Sequence, residues 1–155
     1  MPAAPEEQGP KVVEVISGLV PEKEAELFPS LRGLGKKKKM EGEKSPLSDI
    51  FFAYDQSFLS EEAQSILERN AGWLRSHSEP QILVEGHCDE RGSVEYNLAL
   101  GERRAQSVKD YLINMGIGKD RLYTISYGKE RPFAFGHTEE AWAQNRRAHF
   151  LLRSP

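Results

Sequence analysis

Between Gly86 and Ala105 the chain reads GHCDERGSVEYNLALGERRA, a run dense in side chains able to do chemistry. His87, Cys88 and Asp89 are adjacent, Glu90, Glu95 and Glu102 add carboxylates, and Arg91, Arg103 and Arg104 add guanidinium groups. A metal centre needs converging ligands. Successive side chains at the end of a strand point in opposite directions, so His87, Cys88 and Asp89 chelate poorly together, and no distant partner set stands at ligand spacing. A cysteine nucleophile needs a base and an orienting group beside a thiol of lowered pKa, yet the histidine nearest Cys88 is its own neighbour. Cys88 therefore reads as a structural thiol. Acid–base catalysis needs carboxyls of separated pKa, whereas the many arginines and lysines here hold the acids ionised. Paired charges favour binding over catalysis, so the expectation is a protein that is not an enzyme and uses neither metal nor cofactor.

The binding chemistry centres on two residues. Asp89 follows the apolar run QILVE, at the strand end where the crevice of an α/β sheet commonly receives ligands. Arg104 lies in the helix that follows, and its planar fork suits a carboxylate held through two hydrogen bonds. An aspartate facing an ammonium and an arginine facing a carboxylate would together read a zwitterion, the free end of an amino acid. Arg103 stands about 100° round the helix from Arg104, so the two do not share one pocket. A plain Asp89–Arg104 bridge that pins the loop to the helix fits the same residues, and their chemistry alone leaves both readings open. On the ligand reading, alanine at either position removes binding and spares the fold.

Positioning these groups requires strands alternating with helices. DIFFAY, Asp49 to Tyr54, is aromatic and of strand length. Ser60 then begins a helix, SEEAQSILERNAGWLRSH, with acidic residues in its first turn, and Ala63, Ile66, Leu67, Ala71 and Leu74 recur at spacings of three and four to give one apolar face. ILVEG is a continuous apolar strand of the kind found at a sheet centre. After the charged loop, Ala105, Val108, Leu112 and Met115 repeat at helical spacing and Gly116 stops the helix. RLYTISYG, Arg121 to Gly128, predicts a third strand, Thr138 caps a brief helix reaching Asn145, and HFLLR, His149 to Arg153, predicts a last strand. The order β-α-β-α-β-α-β implies a layered α/β sandwich with at least one right-handed crossover.

Composition divides the chain near residue 48. Of 155 residues, 38% are hydrophobic and 29% charged, and six of the nine prolines lie at or before Pro46 beside the run KKKKMEGEK. Residues 1–48 therefore read as a flexible tether and 49–155 as the folded domain. VVEVISGLV, Val12 to Val20, is a short strand, a docking motif or an unstructured apolar patch, and Lys36 to Lys39 reads as a solvated charge run. A net charge of −3 gives no support to nucleic-acid binding, a single cysteine excludes an internal disulfide, and no run approaches the ~18 apolar residues of a membrane span.

The stretches FFAYDQSFL from Phe51, VEGHCDERGSVEYNLALGERRAQSVKDYL from Val84, ISYGKERP from Ile125 and NRRAHF from Asn145 resemble the OmpA-like peptidoglycan-binding domain, most closely its outer-membrane lipoprotein branch. The resemblance implies an α+β sandwich with helices packed on a mixed four-stranded sheet. It implies noncovalent binding of the peptidoglycan stem peptide through the zwitterionic end of diaminopimelate, in service of envelope integrity and cell division. The family's ligand aspartate matches Asp89 and its carboxylate-binding arginine Arg104, while Tyr54, Asp55, Asn97 and Leu100 match pocket-lining positions. Arg146 is typical of the family, as a structural or a ligand-facing residue. Implied partners are peptidoglycan, the propeller protein of the Tol system, and the inner leaflet of the outer membrane of a Gram-negative bacterium through a lipid anchor, with the domain in the periplasm. Two departures stand out. Cys88 replaces a small residue, usually Thr or Ala, and Met1 stands where the lipidated cysteine is expected, leaving residues 2–48 as the tether. A stator or secretion-complex anchor and a peptidoglycan-cleaving enzyme are the alternatives.

Overall fold

The structure, a computed structural model, describes residues 45–153. VVEVISGLV, the lysine run and nearly all of the expected tether lie outside the described residues. The elements are β1 (Ile50–Phe51), α1 (Glu61–Ser76), β2 (Gln81–His87), α2 (Val94–Asn114), β3 (Leu122–Gly128), α3 (Glu139–Asn145) and β4 (Arg147–Arg153), with a 3-10 turn at Lys119–Arg121 before β3. The sheet order is β1-β4-β2-β3, with β2 parallel to β3 and β4 antiparallel to both β1 and β2.

Each α-helix begins where a hydroxyl can accept an orphan backbone N–H. Ser60 Oγ accepts from Ala63 N at 3.1 Å, Ser93 Oγ from Tyr96 N at 3.0 Å and Thr138 Oγ1 from Ala141 N at 3.3 Å. The apolar face of α1, Ala63, Leu67, Ala71 and Leu74, packs with Ala105, Val108 and Leu112 of α2 over Ile82, Val84, Leu122, Ala148 and Phe150 of the sheet. A smaller cluster joins Leu83, Ile125 and Tyr127 to Leu98 of α2.

The contact that fixes α2 is backbone to backbone. A Cβ placed on Gly86 would lie 1.8 Å from the Gly101 carbonyl oxygen, and one on Gly101 would lie 2.3 Å from Ser126 Oγ. The paired glycines let the helix press onto β2 and β3, which brings Arg104, one turn beyond Gly101, over the end of β2.

The first strand is shorter than the predicted Asp49–Tyr54. Phe52 N still donates to Arg146 O at 2.9 Å, but Gln56 N then donates to Ala53 O at 3.1 Å and Asp55 takes a left-handed φ of 60°, so the chain turns away from the sheet. The last strand starts at Arg147, two residues before the predicted His149. Just ahead of β1, Ser48 N donates to Asn70 Oδ1 and Asn70 Nδ2 donates back to Ser48 O, each at 3.0 Å, and this amide pair fastens the entering chain to α1.

Candidate functional site

Three segments meet at the C-terminal end of β2: the loop after β1, the loop from Cys88 to Ser93, and the first three turns of α2. Together Tyr54, Asp55, Cys88, Asp89, Arg91, Gly92, Tyr96, Asn97, Leu100 and Arg104 line a cleft of about 50 Å³. All six residues singled out in the sequence, Asp89, Arg104, Tyr54, Asp55, Asn97 and Leu100, border this one cavity. Its size suits the tip of a chain, a few heavy atoms wide, rather than a whole sugar.

Arg104 forms the floor and is fully buried. Its Nε donates to Gln56 O at 2.8 Å, Nη1 to His87 O at 2.9 Å and Nη2 to Ala53 O at 3.1 Å, and the residue borders the cleft. One side chain thus ties the loop after β1 and the end of β2 to α2. Burial lowers the Arg104 pKa while the Asp89 and Asp55 charges act against it. A guanidinium starts from so high a pKa that it stays charged. The simple Asp89–Arg104 bridge considered from sequence is not formed, because the arginine's hydrogen bonds go to carbonyls and Asp89 is paired elsewhere.

Asp89 forms the wall and is buried. Its Oδ1 accepts from Arg91 N at 3.0 Å and from Arg91 Nε at 3.1 Å, and Oδ2 accepts from Arg91 Nη2 at 2.8 Å. Burial alone would raise its pKa, yet these hydrogen bonds and the charges of Arg91 and Arg146 hold the carboxyl below its ordinary value. It is therefore an ionised acceptor at neutral pH. Arg146 reaches it from outside the cleft: Nη1 lies 3.5 Å from Asp89 Oδ2 and makes no hydrogen bond, while Nε donates to Phe52 O at 2.8 Å and Nη2 to Glu139 at 3.0 Å. Arg146 is thus a support for Asp89 rather than a lining residue.

The remaining walls are set by local geometry. Asn97 Nδ2 donates to Arg91 O at 2.7 Å and to Ser93 O at 3.0 Å, closing the loop on the start of α2. Leu100 is buried and apolar, Tyr54 is exposed at the rim, and the Tyr96 hydroxyl donates to Asp55 Oδ1. The Cys88 thiol donates to Asn97 O at 3.3 Å, and burial pushes its pKa up to about 12, so it is an inert packing group here.

Sequence reasoning missed Arg91 and Tyr96 as lining residues. Arg91 stands two positions after Asp89, a spacing that lets backbone and side chain close on one carboxylate, and this was the available signal. Its guanidinium also lies between two rings, 4.0 Å from the Tyr54 centroid and 3.9 Å from that of Trp142, a contact that spans three separate chain segments. Chemically, the cleft sets two guanidinium groups and two carboxylates around a space with one apolar wall. It can receive a small group bearing both signs of charge on an aliphatic stem.

Residues 51–146 match the profile of the OmpA family. The peptidoglycan-associated lipoprotein of Mesorhizobium japonicum is 52% identical over 99 residues, covering 64% of this chain and 59% of that protein. That of Pseudomonas aeruginosa is 48% identical over 101 residues, covering 65% and 60%. Among solved structures, the peptidoglycan-associated lipoprotein of Burkholderia pseudomallei superposes with a TM-score of 0.66 at 42% identity, covering 68% of this chain and 89% of that one. The chain spans about three-fifths of the length of the curated relatives it matches.

Proposed function

The chain belongs to the OmpA family, and from that premise we propose that residues 49–155 bind peptidoglycan noncovalently, as a periplasmic anchor and not as an enzyme. The ligand is the stem peptide, and the part recognised is the zwitterionic end of diaminopimelate. The observation that carries this reading is the cleft itself, in which the ionised Asp89 and the buried Arg104 border one small cavity with Leu100 beside them. Asp89 and Asp55 receive the ammonium, Arg104 the carboxylate, and Leu100 the methylenes, while Tyr54 and Asn97 shape the rim and the loop. Relatives named as peptidoglycan-associated lipoproteins support peptidoglycan as the polymer bound. Further parts of the proposal are a lipid anchor on the native chain, residues 1–48 as the tether to it, and the propeller protein of the Tol system as a partner.

The test is selectivity. A site with opposite charges bordering one small cavity rejects a ligand lacking one of them, because its own group stays desolvated and unpaired. Titration calorimetry should rank a diaminopimelate stem peptide above its carboxyl-amidated form and above the lysine form, whose side chain ends in ammonium alone. Asp89→Ala should cost about 2–5 kcal/mol of binding. Equal affinity for the three peptides refutes zwitterion recognition. Incubation with labelled sacculi should give co-sedimentation without soluble fragments, and fragment release would make the protein an enzyme.

A further inference from the structure

The Arg91 guanidinium is held in an arrangement that the ligand chemistry does not explain. Its fork meets both oxygens of Asp89, at 3.1 and 2.8 Å, yet the side chain is partly exposed, where an arginine ordinarily samples many rotamers. Two rings close on its faces. Tyr54 lies on one side at 4.0 Å and Trp142 of α3 on the other at 3.9 Å. The Trp142 ring is itself fixed, since Nε1 donates to Glu90 Oε2 at 2.8 Å and the same carboxylate sits 2.7 Å from His137 Nδ1. The loop carrying Glu90 is held further by Lys129 Nζ, which donates to Gly92 O at 2.6 Å and to Glu90 O at 3.3 Å. α3 is seated by Asn145, whose Oδ1 accepts from Phe133 N at 2.6 Å and Ala134 N at 2.9 Å.

We propose that Trp142, which does not line the cleft, is a positioning residue for the ligand site. Its ring face confines the plane of Arg91, and Arg91 in turn fixes the direction and charge of the Asp89 carboxylate. A planar fork grips a carboxylate through two parallel bonds only when the two planes coincide. An aromatic face on each side removes the out-of-plane freedom that would break one bond, and adds cation–π attraction. The cost of ordering Asp89 is met before the ligand arrives, which is how preorganisation raises affinity without a new contact.

This inference rests on the proposed binding of a diaminopimelate peptide, so its test includes a measurement that needs no ligand. Trp142→Leu keeps apolar volume and removes the π face, while Trp142→Phe keeps a face. In the free protein, carbon NMR of the Asp89 carboxyl is followed against pH. The charged groups facing that carboxyl are Arg91, Arg146 and Arg104, with the Glu90 carboxylate next to it. The Leu variant should titrate at higher pH than wild type, because Arg91 no longer holds the ionised form, and the Phe variant, which keeps a face but loses the Nε1 bond to Glu90, should fall between the two. Peptide affinity should fall about three- to tenfold in the Leu variant and by less in the Phe variant. An Asp89 titration unchanged in the Leu variant, or Phe and Leu behaving alike, overturns the positioning role. Failure of the wild-type protein to bind the peptide would instead refute the proposed function, while the Asp89 titration still judges Trp142.

Discussion

Replacing Arg104 by alanine removes a side chain that three backbone carbonyls depend on, so the structure predicts a loss of stability as well as of binding. The ligand reading of the sequence expects folding to survive this loss, and the structure adds a cost in stability through the three carbonyls. The bond to His87 O is buried, and orphaning that carbonyl costs about 1–3 kcal/mol. The carbonyls of Gln56 and Ala53 are only partly buried and can take water from the cleft, which limits each loss to about 0.5–1.5 kcal/mol. These parts come to about 2–6 kcal/mol, and incomplete collapse around the missing side chain adds to them. Against a domain stability of about 5–15 kcal/mol, the variant should fold but with a much lower midpoint. Urea denaturation followed by far-ultraviolet circular dichroism should show the midpoint falling by about 2 M. Arg104→Lys should fall between the two, because an ammonium reaches some of the carbonyls but has no fork to span all three. A midpoint for Arg104→Ala within about 0.2 M of wild type at equal slope would refute the reasoning and return Arg104 to a purely ligand-facing role.

Gly86→Ala should cost at least about 3 kcal/mol in a thermal or urea melt, since the added Cβ meets the Gly101 backbone at 1.8 Å and neither backbone can yield. Cys88→Ala should change peptide affinity by less than about tenfold, and native Cys88 should resist iodoacetamide at pH 8, as expected of a buried thiol with a pKa of about 12. The pair formed by His149 Nδ1 and Asp49, at 2.9 and 3.0 Å, gives stability a defined pH window. Burial would lower the His149 pKa, but the Asp49 hydrogen bond and the Glu85 and Asp49 charges raise it, while Asp49 is lowered. A raised histidine contributes fully below its unfolded pKa of about 6.5 and loses that contribution as pH rises through its folded value. The stability gap between wild type and His149→Gln, measured in urea, should therefore be larger at pH 6 than at pH 8, and a gap that widens with pH contradicts the assignment.

The helices were legible because their signals are local. Thr138 caps the helix it was expected to cap, Ser60 stands at the expected helix start, and the three-and-four spacing of Ala63, Leu67, Ala71 and Leu74 marks the face that is buried. The strand through DIFFAY was over-read because its aromatic character extends past Phe51, whereas its end is set by a turn at Asp55, a residue type that tolerates the left-handed conformation but gives only a weak signal beside an aromatic run. The cleft was legible as a set of residues but not as a set of bonds. The partners of Arg104 are backbone carbonyls 17, 48 and 51 positions away, and a carbonyl carries no residue-type signature. The Tyr54–Arg91–Trp142 stack was hidden for a related reason: its members sit on three segments whose proximity only the fold creates.

Under the N-terminal tether proposed above, the amide pair between Ser48 and Asn70 takes on a mechanical meaning. Tension entering at Ser45 reaches this pair before it reaches β1, and Asn70 passes the pull to α1, which is anchored by its whole apolar face. Without it, the same pull would fall on a strand of two residues and then on the loop at Ala53 and Gln56 that holds Arg104. Under force, then, the grip of the cleft depends on a side-chain amide 22 positions from Ser48 that touches no ligand, and an Asn70→Ala domain should release at lower force than wild type even where their affinities at rest are equal.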